Sequence, residues 1–222
     1  MALTATAREE RADARRQALI DAGRALFSKQ GFHQTGMAEL AKASGIKMGQ
    51  IYRDFGSKDD IIAAICEQDI SLLLSDVRLF DDTRRGGPRA LRAWIDDYVE
   101  HEPGLQQCRM VAEITAEAGR NPRIARILID QENRLLEKLD STLNALTNGR
   151  VAPADRRRIV KIMFALNLGL MTQRAAEPGY DAKSTFRAAM ALILEELERL
   201  IDVEAKGHER ADQRGASMLP YA

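Results

Sequence analysis

The sequence predicts an all-α protein of about nine helices, with a small three-helix head at the N-terminus and a larger helical domain behind it. Three observations carry this. Apolar residues recur at three- and four-residue spacing almost throughout, the pattern of stacked amphipathic helices. Only six prolines occur, and few alternating β-branched runs. Two short helical stretches are separated by Ser44-Gly45-Ile46, a tight turn of the helix-turn-helix kind.

Taken in order, the first helix is expected at about Arg8–Gln30, with Leu19, Ile20, Gly23, Leu26 and Phe27 on one stripe and Gly31 ending it. Short helices come next at about Met37–Ser44 and Lys47–Phe55. A longer one spans Ser57 to about Asp76, where Ser57 can cap and Asp59 and Asp60 suit the positive end of the helix dipole. The clearest loop is Asp81–Pro88. Beyond it, helices are expected near Arg89–His101, Leu105–Ala118, Pro122–Leu146, Ala154–Ala175 and Ala182–Ala205, punctuated by Gly119, Asn148-Gly149 and Pro178-Gly179. The polar stretch 207–222 is expected to be disordered. The implied domains are 1–56, 57–206 and this tail.

Composition narrows the function. The chain has 222 residues, with 33 Lys and Arg balanced by 33 Asp and Glu, an apolar fraction of 45% and a charged fraction of 30%, values of a folded globular protein. No apolar run approaches the roughly 18 residues a membrane helix needs. The first residues become charged before any apolar stretch, so no secretory signal is expected. Cys66 and Cys108 lack metal or redox spacing and suit a reducing cytoplasm. His33, His101 and His208 are scattered, so neither a metal site nor a cofactor is expected. A Gly-rich phosphate loop, a G-x-S-x-G elbow and an H-E-x-x-H motif are all missing, which argues against an enzyme.

The informative stretch is Gln17–Ala64. Gly45 supplies the unusual backbone angle of the turn, and Leu40, Ala41, Ile46, Ile51 and Phe55 are spaced to pin both short helices against the first. The second short helix then lies in a DNA major groove. Gln50 suits a bidentate contact to adenine, Met48 a thymine methyl, and Gly49 a close backbone approach. Arg53 suits a phosphate or a base.

Ala22, Leu26, Phe27, Gly31, Phe32, Thr35, Leu40, Ala41, Gly45, Ile46, Gly49, Ile51, Tyr52, Phe55, Ser57, Lys58 and Asp59 stand in a joint spacing that includes G-x-I-Y-x-x-F-x-S-K-D. In these residues the sequence resembles the TetR family of bacterial transcriptional repressors, over about a quarter of the chain. The resemblance implies a homodimer that binds a palindromic double-stranded DNA operator and is released by a small-molecule inducer in the C-terminal domain. It places Tyr52 and Lys58 at phosphate-contacting positions. The residues assigned to DNA are therefore Thr35, Lys47, Met48, Gly49, Gln50, Tyr52, Arg53 and Lys58. Two departures stand out. Lys47 replaces the family's usual Ser or Thr cap, and Asp54 stands where His or Tyr is common. A carboxylate facing phosphate is repulsive, so Asp54 is expected to pair with Arg53 or Lys58, or to turn away.

In the C-terminal domain, Ile159, Ile162, Ala165, Leu166, Gly169, Leu192 and Leu197 are the candidate dimer residues; the other possibility is that their helices cover the monomer's own core. Candidate ligand-lining residues are Trp94, Tyr98, Met110, Ile114, Ile127, Met163, Phe164 and Asn167, a set that suits an apolar molecule. Glu113 and Glu117, one helical turn apart, favour a cationic ligand if either faces inward, or else pair with Arg109 and Arg120 at the surface. The helix from Ser57 is the expected route between head and ligand domain. A helical interaction module whose head no longer binds DNA is the alternative to a regulator, and the sequence does not separate repression from activation.

Residues 1–66 carry a net charge of only +2. Binding to DNA of arbitrary sequence is therefore expected to be weak, resting on directed contacts rather than bulk charge. Titration of a scrambled duplex at physiological salt checks this; steep sequence-independent association contradicts it.

Overall fold

A computed structural model describes residues 2–74, 87–100 and 103–216. Among these residues the chain is helical with no strand: α1 (Ala2–Gln30), α2 (Met37–Ser44), α3 (Met48–Asp54), α4 (Lys58–Leu74), α5 (Pro88–Glu100), α6 (Leu105–Ala118), α7 (Pro122–Leu146), α8 (Pro153–Ala176) and α9 (Ala182–Ala216). No described helix is long and apolar enough to cross a membrane.

The expected elements are all present, most within one or two residues of the expected ends. Both termini differ. Helix α1 starts at Ala2 rather than Arg8, through the helix-favouring Ala-rich segment. Helix α9 runs to Ala216 rather than Ala205, so 207–216 is helical where disorder is expected. Helix formers such as Glu204, Ala205, Lys206, Glu209, Arg210 and Ala211 surround Gly207, and one interior glycine costs only about 1 kcal/mol. The 81–86 portion of the expected loop, His101, and residues 217–222 lie outside the described residues.

The chain divides into two compact units. The first comprises 1–73, 103–133 and 171–180, and the second 74–102, 134–170 and 181–222. The core of the first is built by Leu19, Phe27, Leu40, Ile51, Phe55, Ile61 and Ile65 together with Met110, Ile114 and Ile124. So α6 and the start of α7 complete the apolar core of the head. Helices α1 and α4 approach closely at Gly23, where an added Cβ would stand 2.8 Å from the Ile61 Cγ2.

The second unit buries Leu91, Trp94, Ile95 and Val99 of α5, Leu139 and Leu143 of α7, Ile159, Val160 and Met163 of α8, and Met190 and Leu197 of α9. Salt bridges tie α5 to α9: Arg92 to Glu198 at 2.6 Å, and Arg187 and Lys183 to Glu100. The buried Arg156 forks onto Asp140 at 3.1 Å and donates to the Val151 carbonyl at 2.9 Å. A buried guanidinium is tolerable only when paired this completely.

Candidate nucleic-acid interface

Helix α2 ends where the turn requires it to. Gly45 sits at φ 69°, ψ 11°, a left-handed conformation that glycine adopts without a Cβ penalty. The Ser44 hydroxyl donates to the Leu40 carbonyl at 2.7 Å and accepts from the Ile46 N–H at 3.3 Å, fixing the exit of the chain. Helix α3 starts without a side-chain cap. The extended Lys47 instead offers its carbonyl to the N–H groups of Gln50 and Ile51.

Ile51 is fully buried and sets the rotation of α3. Its opposite side turns outward, so Lys47, Met48, Gly49, Tyr52 and Arg53 are all exposed, and Gln50 is half-buried at the edge. Tyr52 is 55% exposed and Met48 38%. For Tyr52 this excludes packing between the helices of the head as its main role. Five of the eight residues assigned to DNA thus share one open face, and Gln50 borders it.

Asp54 does not join that face. Its carboxylate accepts a two-pronged bond from the Arg15 guanidinium, at 3.1 and 3.3 Å, and is itself largely buried. Arg16 donates to the Asp54 carbonyl at 2.7 Å and lies 4.3 Å over the Phe55 ring. The partner is therefore Arg15, not Arg53 or Lys58. The pairing fixes the C-terminal end of α3 to α1 and leaves Arg53 exposed.

Thr35 and Lys58 take internal roles. Thr35 is fully buried and donates its hydroxyl to the Gly31 carbonyl at 2.9 Å. The Lys58 ammonium donates to the carbonyls of Phe32 and Thr35, at 2.9 and 2.8 Å, and stands 4.3 Å over the Phe32 ring. Those carbonyls belong to the α1–α2 turn, which leaves α1 through Gly31 at φ 87°. Sequence spacing shows these side chains near the head's surface but not the carbonyls that claim them.

Glu113 and Glu117 grip the same turn from α6. Glu113 accepts from the Phe32 N–H at 3.2 Å. Glu117 is 4% exposed; its Oε2 lies 2.8 Å from the His33 Nε2 and accepts from Arg120 at 3.4 Å, while its Oε1 accepts from Asn121 at 3.4 Å. Arg120 is thus the one expected partner present, Asn121 joins it from the same corner, and His33 and the Phe32 N–H are the ones that spacing along the chain could not show.

The α6–α7 corner also reaches α4. Asn121 donates to Asp59 at 3.0 Å, and Arg123 donates to Ser57 at 3.2 Å and pairs with Asp60. Ser57 caps α4 as expected, accepting from the Asp60 N–H at 3.3 Å. Partial burial pushes the Asp60 carboxyl upward, but the bonds from Arg123 and Ser57 outweigh it and hold Asp60 below the usual carboxylate range.

The expected ligand-lining residues fall into both units. Met110 and Ile114 lie in the core of the head unit, and Ile127 packs against it. Trp94 and Met163 are buried in the second unit, where Phe164 and Asn167 are half-buried; the Tyr98 side chain lies outside the described residues. A groove of about 420 Å³ in the head unit is bordered by Arg16, Phe55, Asp60, Glu67, Ile127 and Asp130. Of the expected lining residues, Ile127 alone touches it.

The dimer candidates separate by burial. Ile159 and Leu197 belong to the interior, and Leu166 is half-buried. Ile162 and Leu192 are 51% and 66% exposed, and Ala165 and Gly169 are open, with nothing within 4 Å of a Cβ built on Gly169. The cysteines are buried and unbonded to each other, and burial, with Asp69 nearby, pushes the Cys66 thiol up to about 12.

The placement of Lys58 has a measurable consequence. Lys58→Met removes two charge-assisted bonds and is expected to cost about 2 kcal/mol of stability in urea unfolding. It should leave the salt dependence of DNA binding unchanged, whereas Arg53→Met should lower that slope by about one counterion. A slope change in Lys58→Met would instead mark Lys58 as a phosphate contact.

Comparison with known proteins agrees with this architecture. The profile described as "Bacterial regulatory proteins, tetR family" matches residues 19–65, and that described as "BetI-type transcriptional repressor, C-terminal" matches 87–202. The chain is 28% identical to the transcriptional regulator UidR of Escherichia coli K12 over 170 residues, covering 73% of this chain and 82% of that protein. It is 29% identical to the regulator AcrR of Shigella flexneri over 195 residues, covering 84% and 91%. The solved structure of Salmonella enterica GusR superposes with a TM-score of 0.64 at 25% identity, covering 82% of this chain and 95% of that one. With one profile matching more than half of its length and the other spanning its helix-turn-helix, the chain belongs to the TetR family of bacterial DNA-binding transcriptional regulators.

Proposed function

We propose that this protein is a homodimeric repressor that binds a palindromic operator in the cytoplasm and is released by a small apolar molecule. Residues 1–56 read DNA, and residues 57–206 bind the ligand and form the dimer. The observation that supports this most is the outward face of α3: Lys47, Met48, Gly49, Tyr52 and Arg53 are exposed while Ile51 anchors the helix from behind. Gln50 at the edge of that face reads a base, and Lys47 and Arg53 meet phosphate. The Arg15 pairing removes the main objection to DNA binding, because a neutralised Asp54 no longer repels phosphate.

The exposed Ile162, Ala165 and Gly169 on α8 and Leu192 on α9 support dimerisation through a helical interface, with Ile159 and Leu197 backing it from the interior. A two-fold dimer places two recognition helices about 34–36 Å apart, one turn of DNA. For the ligand, Trp94, Tyr98, Met163, Phe164 and Asn167 remain the candidates in the second unit. The case for a cationic ligand weakens, since Glu113 and Glu117 are engaged with the α1–α2 turn.

Selection of bound duplexes from a random pool, with purified protein at physiological salt, tests the reading. It should enrich a palindrome with half-sites about one helical turn apart. Failure of folded protein to enrich any sequence would favour a helical module that does not bind DNA.

A further inference from the structure

The α1–α2 turn carries a polar pair that the DNA-reading face does not use. Glu117 is 4% exposed, and its Oε2 lies 2.8 Å from the Nε2 of His33, whose side chain is 65% exposed. A carboxylate that deep needs its partners. Two of them, Arg120 and Asn121, stand farther off at 3.4 Å and come from α6 itself or the corner after it, whereas His33 comes from the head. The His33–Glu117 contact is therefore a tie between the recognition head and α6.

We propose that Glu117 is a positioning residue for operator binding, acting through His33, and that the protonation of His33 tunes that action. The inference rests on the operator-binding reading given above. A neutral imidazole makes no ion pair with the carboxylate; an imidazolium at 2.8 Å does, so protonation adds an attraction between the two side chains. Histidine is the side chain that changes charge between about pH 5 and 8. The tie holds the turn that leads through the buried Thr35 into α2, and α2 carries α3. Tightening the turn pre-organises the reading helix and lowers the ordering cost of docking.

The groups around His33 favour this sense of coupling. From α6 come Glu113, on the neighbouring Phe32 N–H, and Glu117, with Arg120 and Asn121 from the corner after it. From α4 comes Lys58, committed to the Phe32 and Thr35 carbonyls. The Phe32 ring flanks the imidazole, with centroids 5.7 Å apart. Glu117 is the carboxylate in contact with the ring, and the cations nearby are already paired or hydrogen-bonded.

Protonation strengthens the tie, so operator affinity should be higher at the acidic end of the range and fall as pH rises. For a partly exposed pair the change is roughly threefold to fivefold. The chain has only three histidines, so the source can be assigned by substitution.

The experiment measures the dissociation constant of the selected operator duplex between pH 5.8 and 7.6 at fixed ionic strength. It compares the full chain with His33→Asn, Glu117→Gln and the His101→Gln/His208→Gln double variant, each confirmed folded by its thermal melt. The proposal expects the pH slope in the parent and the double variant, and its loss in both His33→Asn and Glu117→Gln. Loss in His33→Asn alone would show that the imidazolium charge acts on DNA directly, and would overturn the role of Glu117. A slope kept in both variants, or missing from the parent, would overturn the proposal outright. Should Glu117→Gln fail to fold, Glu117→Asp, which keeps the charge but shortens its reach to His33, takes its place in the comparison and should lose the slope likewise. Absence of any selected operator would strike the operator-binding reading itself, separately from this inference.

Discussion

One six-residue turn, Gly31–Gly36, is held from several sides, and the orientation of the recognition helices depends on it. Lys58 bonds its carbonyls, Glu113 its Phe32 N–H, Glu117 its His33, and the turn's own Thr35 closes back onto Gly31. Glu39 completes the arrangement on α2, where the Gly36 N–H at 2.8 Å, with the Gln30 amide beside it, keeps its carboxyl below the usual range. Hydrogen bonds to charged groups contribute about 1.5–3 kcal/mol each where solvent is excluded. A turn left to its own backbone bonds would leave a hinge at Gly31, with α2 and α3 kept by the apolar core and the Arg15–Asp54 pair. Here three charged side chains from α4 and α6 make that hinge stiff.

The same residues explain why the head is not separable from the helices behind it. Met110, Ile114 and Ile124 complete its apolar core, and the α6–α7 corner bonds the first turn of α4 through Asn121 and Arg123. Deleting the chain after α4 would remove the part of the core that Met110, Ile114 and Ile124 supply, and would take Asn121 from Asp59 and Arg123 from Asp60. A change in α6 thus reaches the head through the α1–α2 turn as well as through α4.

Much of this is legible in the sequence because it is local. The Gly45 turn, the Ser57 cap, the burial of Leu40, Ile51 and Phe55, and the full span of α6 are set by spacing within a few residues. The end of α9 is misjudged for a local reason too: the polar stretch from Gly207 looks disordered, yet strong helix formers surround that glycine. What spacing cannot supply is the partner across the fold. Asp54 meets Arg15 from 39 residues away, and Glu113 meets Phe32 from 81 away, so the partners expected from local spacing, Arg53 or Lys58 for the one and Arg109 or Arg120 for the other, do not include the ones met. Lys58 is the converse case: the resemblance implies a phosphate contact for it, and its carbonyl acceptors are invisible until the turn is folded.

The central claim is that α6 carboxylates hold the α1–α2 turn, and amide hydrogen exchange in Glu113→Ala tests it most directly. The Phe32 N–H bonds to Glu113, while the Gly31 N–H bonds within the chain to the Phe27 carbonyl at 3.0 Å. Removing the carboxylate should strip protection from Phe32 and the residues after it in the turn, leaving Phe27 and the interior of α1 protected as before. Unchanged exchange at Phe32 would contradict the claim, and would mean that the turn is held by its own backbone and by Lys58 without help from α6.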